Sequence, residues 1–175
     1  MATYGRTYAA IIVVIVMIVA AVGAYALLQP ATGTMSIYVK DDAFAWKHVN
    51  VTFSEVRVHQ ASADNDTGWQ TISIENDVID LAALVNVSEL LASSAIPAGK
   101  YTQVRIVVES ATGMMFNGTH VAFDVPSGEL KTTHPFDLPA GDTKRLTLEI
   151  DLEHSIVQNA SGWNFKPVLS AVTEE

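Results

Sequence analysis

The sequence predicts an all-β domain, an antiparallel β-sandwich, preceded by one N-terminal α-helix that spans a membrane or packs in a filament core. Three observations carry this expectation. Residues 8–28 contain no charged side chain and little besides Ala, Ile and Val. From Thr34 onward, apolar and polar residues alternate with period two and are cut at short intervals by Gly, Pro, Asn and Asp, the pattern of half-buried strands joined by turns. The chain has no cysteine, so its stability must come from a buried core, which about 140 residues can supply without disulfides.

The apolar segment comes first. At 1.5 Å per residue, residues 8–28 make a helix of about 31 Å, the thickness of a bilayer's hydrocarbon core. Ile11 to Val19 is a continuous run with no polar face, which suits lipid or the centre of an assembly. Tyr4, Tyr8 and Tyr25 fall near its ends, where amphipathic rings favour the membrane interface. Gln29-Pro30 stops the helix. Ala24-Tyr25-Ala26 has the form of a signal-peptide cleavage site, but the apolar stretch is longer than such signals use. Arg6 before the helix, with Lys40, Asp41 and Asp42 after it, favours a cytoplasmic N-terminus. The expected division is a short cytoplasmic segment (1–7), the helix (8–29), a tether (30–33) and an extracellular domain (34–175).

The strands follow in order. Met35 to Lys40 is the first. Val49, Val51 and Phe53 alternate inward, then the phase slips to Val56 and Val58, which places a bulge near Ser54-Glu55. Trp69 to Ile74 and Val78 to Leu84 read as shorter strands. Asn86-Val87-Ser88-Glu89 has the spacing of a helix cap ahead of Leu90-Leu91, so one short helix is expected there. Thr102, Val104, Ile106 and Val108 make one face of a long strand. Asn117-Gly118 turns a hairpin between Met114–Phe116 and His120–Val125. Leu146, Leu148, Ile150 and Leu152 alternate with polar residues, and Asn164 to Val172 closes the domain with Pro167 at an edge or bulge. Pro97-Ala98-Gly99 and Pro139-Ala140-Gly141 are the turns that launch two of these strands. Eight or nine strands at this spacing indicate a sandwich.

Charge and motifs narrow the function. All nineteen acidic residues and nine of the ten basic ones lie after Pro30, a net −10 that disfavours nucleic acid and anionic headgroups as ligands. Five Asn-x-Ser/Thr sequons occur, at Asn50, Asn65, Asn86, Asn117 and Asn159, where the seven Asn and the Ser/Thr content would produce about one by chance. They are candidate glycosylation sites; turn chemistry, which also sets Asn beside Ser or Thr, accounts for part of the excess. Asp64-Asn65-Asp66-Thr67-Gly68 begins like a calcium loop, but its glycine comes one position early and no closing glutamate follows. Asp41, Asp42, Asp64 and Asp66 are therefore only weak cation candidates beside the reading of solvated loop ends. His48, His59, His120, His134 and His154 lack metal-ligand spacing, and most of them read as surface or rim residues. Glu149, Asp151 and Glu153 read as an acidic ridge on one strand's outer face. There is no Gly-x-Ser-x-Gly, no His-Glu-x-x-His and no phosphate loop. No catalytic residue and no cofactor is expected.

Several segments resemble an uncharacterised prokaryotic family of secreted domains: Thr34 to Asp41, Val49 to His59, Pro97 to Arg105, Ile150 to Ser155 and Lys166-Pro167-Val168, in the family's order. The resemblance implies a domain of unknown function, carried by bacterial lipoproteins and archaeal surface proteins, with a sandwich similar to transthyretin-like and carboxypeptidase-regulatory domains. It brings no catalytic residue. The lipidated cysteine of many members is missing, so the helix would serve as the anchor. The plan of helix, hinge and β head also resembles archaeal pilins and archaellins, although Tyr4-Gly5-Arg6 lacks the charge that precedes the glycine in their processing site. The expected function is a non-catalytic cell-surface module for display, adhesion or envelope assembly. Its partners would be the bilayer, or like subunits in a filament, with surface proteins or glycans as further partners and no nucleic acid. A pilin-like subunit and a cation- or ligand-binding receptor domain are the alternatives.

Overall fold

A computed structural model describes the backbone of residues 3–41, 46–64 and 67–175; for residues 3–11, 26–28 and 41 it describes no more than the backbone. The chain forms two compact units, Met1–Ala31 and Thr32–Glu175. The first is α1 (Thr3–Leu28), a single helix of 26 residues. Its described side chains, 12–25, are all exposed, with Ile12, Val16 and Val19 at least 60% accessible. That described stretch is shorter than a span, and among the described residues no helix is long and apolar enough to cross a membrane.

The second unit is mostly β. Its strands are β1 (Thr32–Asp41), β2 (Trp46–Gln60), β3 (Trp69–Ile72), β4 (Val78–Asp80), β5 (Glu89–Pro97), β6 (Gly99–Met115), β7 (His120–Phe123), β8 (Glu129–Thr132), β9 (Phe136–Leu138), β10 (Thr143–Ile150), β11 (Ile156–Asn159), β12 (Gly162–Phe165) and β13 (Leu169–Glu174), with a four-residue helix α2 (Leu152–Ser155) after β10. One sheet has the order β13-β10-β1-β5, with β1 parallel to β10 and antiparallel to β5. A larger sheet is built on β2 and β6; β3 and β4 pair along β2, and β7, β8 and β9 pair along β6. β11 and β12 form a separate hairpin.

The alternation seen in the sequence is what closes the core. Met35, Ile37 and Val39 of β1 and Leu146, Leu148 and Ile150 of β10 turn to one side of their sheet. They join Val49, Val51, Phe53, Val56 and Val58 of β2 and Val104, Ile106 and Val108 of β6 in a single buried cluster. The slip expected near Ser54-Glu55 is present as a register shift between Phe53 and Glu55. β6 slips as well: Tyr101, Val104 and Ala111 are buried across two further shifts. One end of the core is aromatic. Trp46 meets Phe123 and Trp163 edge-on at 5.1 and 5.2 Å, the geometry that ring quadrupoles favour. Gly113 lies beneath them, where a Cβ would stand 2.6 Å from Phe123 and 2.7 Å from Trp46.

Several expectations are corrected. Residues 86–91 do not make a helix. Asn86 takes φ 61° and Glu89–Pro97 is β5, because pairing with β1 and burial of Leu91, Ala92 and Ile96 outweigh a local cap signal. The described strands number thirteen, not eight or nine, because each long strand collects several short partners. The last predicted strand is two, β12 and β13, divided at Lys166–Val168 around Pro167, which has no N–H for a ladder. β1 begins at Thr32, so Thr32 and Gly33 belong to the sheet and not to a tether. In the 116–118 turn only Gly118 has positive φ, 86°. Gly118 N–H donates to the Met115 carbonyl and Met115 N–H to the Thr119 carbonyl, a three-residue loop with a left-handed glycine.

Leu148 is 1% exposed at the centre of the cluster, whereas Val157 is 48% exposed. Leu148→Ala should cost about 2–5 kcal/mol in urea unfolding of the full chain, and Val157→Ala no more than ~0.5 kcal/mol. Equal effects would contradict the packing described.

Candidate functional surface

Four of the five sequon asparagines, Asn50, Asn86, Asn117 and Asn159, are described, and all four are exposed. Asn65 lies outside the described residues. Their surroundings differ. Asn117 and Asn159 sit at the tips of the β6–β7 and β11–β12 hairpins, where each side-chain oxygen accepts a backbone N–H two residues on, from Thr119 and Ser161, both at 2.9 Å. This is the turn-forming behaviour of Asn, and the two amide nitrogens are left facing solvent. At the other two sites the hydroxyl residue is occupied. Thr52 accepts from Ser110 at 3.1 Å inside the β2–β6 ladder, and Ser88 accepts from Arg145 at 2.8 Å. Ser161 Oγ is engaged as well, donating to Asn159 Oδ1 at 2.8 Å, so an enzyme that must grip the Ser or Thr finds Thr119 beside Asn117 the most accessible of the four.

Of the cation candidates, Asp64 is exposed and its carbonyl is near His59 Nε2 at 3.1 Å. The Asp41 side chain, Asp42 and Asp66 lie outside the described residues. Among the described residues no three His, Asp or Glu stand together as a metal site. His59 departs from the expected surface position: it is 4% exposed, edge-on to Trp69 at 4.9 Å, with Thr102 Oγ1 at 3.5 Å.

The acidic ridge of Glu149, Asp151 and Glu153 does not form, because β10 ends at Ile150. Glu149 pairs with Lys40 on β1. Asp151 caps α2, accepting from His154 N–H at 3.0 Å and facing His154 Nδ1 at 2.7 Å. The His154 amide hydrogen bond, aided by the His154 ring, holds the Asp151 carboxyl below the usual carboxylate range despite some desolvation. Asp, His and Ser are adjacent here, yet the geometry is not that of a nucleophile. Ser155 is fully buried; its hydroxyl donates to the Asp151 carbonyl and accepts from Val168 N–H at 2.9 Å. His48 and Asp80 make a second pair, Nδ1 to Oδ2 at 2.6 Å, in which Asp80 also accepts from Val49 N–H at 2.8 Å. The first pair closes the start of α2, and the second ties β2 to β4.

The outer face of the larger sheet carries charge in rows. Arg57 on β2 stands opposite Arg105 on β6, and Arg105 opposite Lys131 on β8. Trp69 lies under Arg105 at 4.2 Å and Arg57 at 5.7 Å. Glu55 and Glu129, one row along, face the two guanidinium groups at 3.2 and 3.5 Å. Stacking on an indole together with flanking carboxylates relieves the like-charge repulsion of a directly opposed Arg pair. Sequence reading missed this row because its members are far apart in the chain and meet only through register.

A family model described as "Domain of unknown function (DUF4382)" matches residues 32–167. No curated protein and no solved structure matches the chain.

The Asp151 cap gives a pH-dependent outcome. A carboxyl held low in the folded state stabilises above its unfolded pKa, and that contribution is lost as pH falls through the folded value. Asp151→Ala should lower stability by about 1 kcal/mol at neutral pH. The gap from wild type should narrow below about pH 4, as the carboxyl protonates. Urea melts at several pH values check this; a gap independent of pH would show that the ionised carboxylate is not what caps α2.

Proposed function

The chain belongs to the DUF4382 family, and from that premise we propose that it is a non-catalytic, membrane-anchored module displayed on the outer side of a cell membrane. The observation that carries this reading is α1. Its 26 residues would extend about 39 Å, and its only charge is Arg6 near the start. The described side chains are exposed and apolar, so they need lipid or protein around them. In this reading the β unit is a sandwich of immunoglobulin or transthyretin-like type, with two sheets contributing to one core. It faces outward, and its exposed sequons carry glycans, most readily at the hairpin tips and above all at Asn117, whose Thr119 hydroxyl is not engaged among the described residues. The net −10 after Pro30 keeps such a domain soluble and off anionic headgroups. The paired His and Asp residues described above cap α2 and join β2 to β4, a structural use that supports a binding or display role over catalysis.

The same apolar surface also favours a second reading, a pilin-like subunit whose helix packs against copies of itself. Ala20 and Ala24, both exposed, offer one small-residue contact for close helix packing.

Expression of the full chain in a host that glycosylates surface proteins separates these readings. Display predicts that the protein stays in the membrane pellet through alkaline carbonate extraction and that Asn117→Gln and Asn159→Gln each raise electrophoretic mobility by one glycan step. Recovery in sheared extracellular filaments would favour the pilin-like subunit. Free protein lacking α1 in the medium would contradict both.

A further inference from the structure

A cavity of about 360 Å³ opens on the outer face of the β13-β10-β1-β5 sheet, lined among others by Lys40, Asn86, Ser88, Arg145, Thr147 and Glu175. We infer that it binds a small hydroxylated carboxylate with the size and chemistry of a sugar acid. The inference does not rest on the display reading.

Size and sign come first. The volume falls in the range of small-molecule pockets. The domain as a whole is strongly acidic, yet here Lys40 is matched by Glu149 and Arg145 by Glu175, so the patch is balanced in charge. Moving Glu175 aside leaves one cation uncompensated, which an incoming monoanion would match.

Preorganisation comes second. The Arg145 guanidinium lies 3.7 Å over the Tyr38 ring and donates from Nη2 to Ser88 Oγ at 2.8 Å, which fixes its plane and its position along the strand. Lys40, one strand over, is paired with Glu149. A fixed guanidinium loses little freedom when it takes a carboxylate, which is why Arg serves such sites.

Unmet capacity comes third. Arg145 Nε is buried and makes no hydrogen bond; its nearest carboxylate, Glu175, stands at 3.5 Å. Thr147, 8% exposed, lines the same cavity. Buried polar groups are ordinarily paired, so a donor left open beside a cavity marks where a ligand's acceptor belongs. Glu175 is 64% exposed on its side chain, so it can swing into water at little cost. It acts as a stand-in for the ligand's carboxylate. Replacing it with a monoanion conserves charge, and the ligand's hydroxyls would meet Thr147, Ser88 and the Asn86 amide, which a bare anion would leave unmet.

Calorimetric titration of the detergent-solubilised full chain with D-glucuronate, D-glucose and acetate tests this. Saturable one-to-one binding is expected for glucuronate alone. Arg145→Gln should weaken it about tenfold or more, and Thr147→Val about threefold to tenfold. Glu175→Gln should tighten it by up to about fivefold, a gain that a misfolded variant cannot produce. The inference is overturned if glucuronate does not bind, if acetate or glucose binds as well, if Arg145→Gln leaves affinity unchanged, or if Glu175→Gln fails to tighten it.

Discussion

Everything in the β unit hangs on the antiparallel ladder between β2 and β6. The two strands run alongside each other from Trp46 opposite Met115 to Gln60 opposite Tyr101. Each supplies the edge on which shorter strands assemble, β3 and β4 on one side and β7, β8 and β9 on the other. A ladder of this length cannot stay flat, because strands twist. Register shifts at Thr52/Phe53, Phe53/Glu55 and His59/Gln60 let the two strands bend together while keeping apolar residues on the core side. Without the Phe53/Glu55 shift, either Val49, Val51 and Phe53 or Val56 and Val58 would face water.

The second sheet is fastened by β1, which pairs parallel to β10 and antiparallel to β5 along nearly its whole length. Because β1 follows α1 directly in the chain, the residues that leave the helix are the residues that seal this sheet. Thr32 accepts from Gly141 N–H at 2.8 Å, and Thr34 N–H donates to the Asp142 carbonyl at 2.8 Å, so the first turns of the sheet close around the chain as it arrives.

How much of this was legible in the sequence follows from where each signal lives. Long alternating runs declared themselves, since Leu146, Leu148 and Ile150 or Val104, Ile106 and Val108 need no partner to show their period. The bulge at Phe53/Glu55 was legible for the same reason. What failed depended on partners remote in the chain. Asn86-Val87-Ser88-Glu89 spells a helix cap locally, but the strand beside β1 needed residues to fill it. Glu149, Asp151 and Glu153 alternate as a strand would, yet Asp151 turns to cap α2. The cavity around Arg145 is legible in no segment, because its lining comes from β1, the 84–88 loop, β10 and the C-terminal residues. The sequons could be read directly, whereas the engagement of Ser88 and Thr52 could not.

The central claim is that the β unit lies outside the membrane on an inserted helix. The chain has no cysteine, so a single one is a clean reporter. Ser127 is exposed in the loop between β7 and β8 and makes no described side-chain hydrogen bond, so Ser127→Cys leaves the fold intact. Labelling intact cells with a membrane-impermeant maleimide should modify this cysteine fully before lysis, while a separate Ala2→Cys variant reacts only after it. Labelling of Ser127→Cys only after lysis would contradict the account.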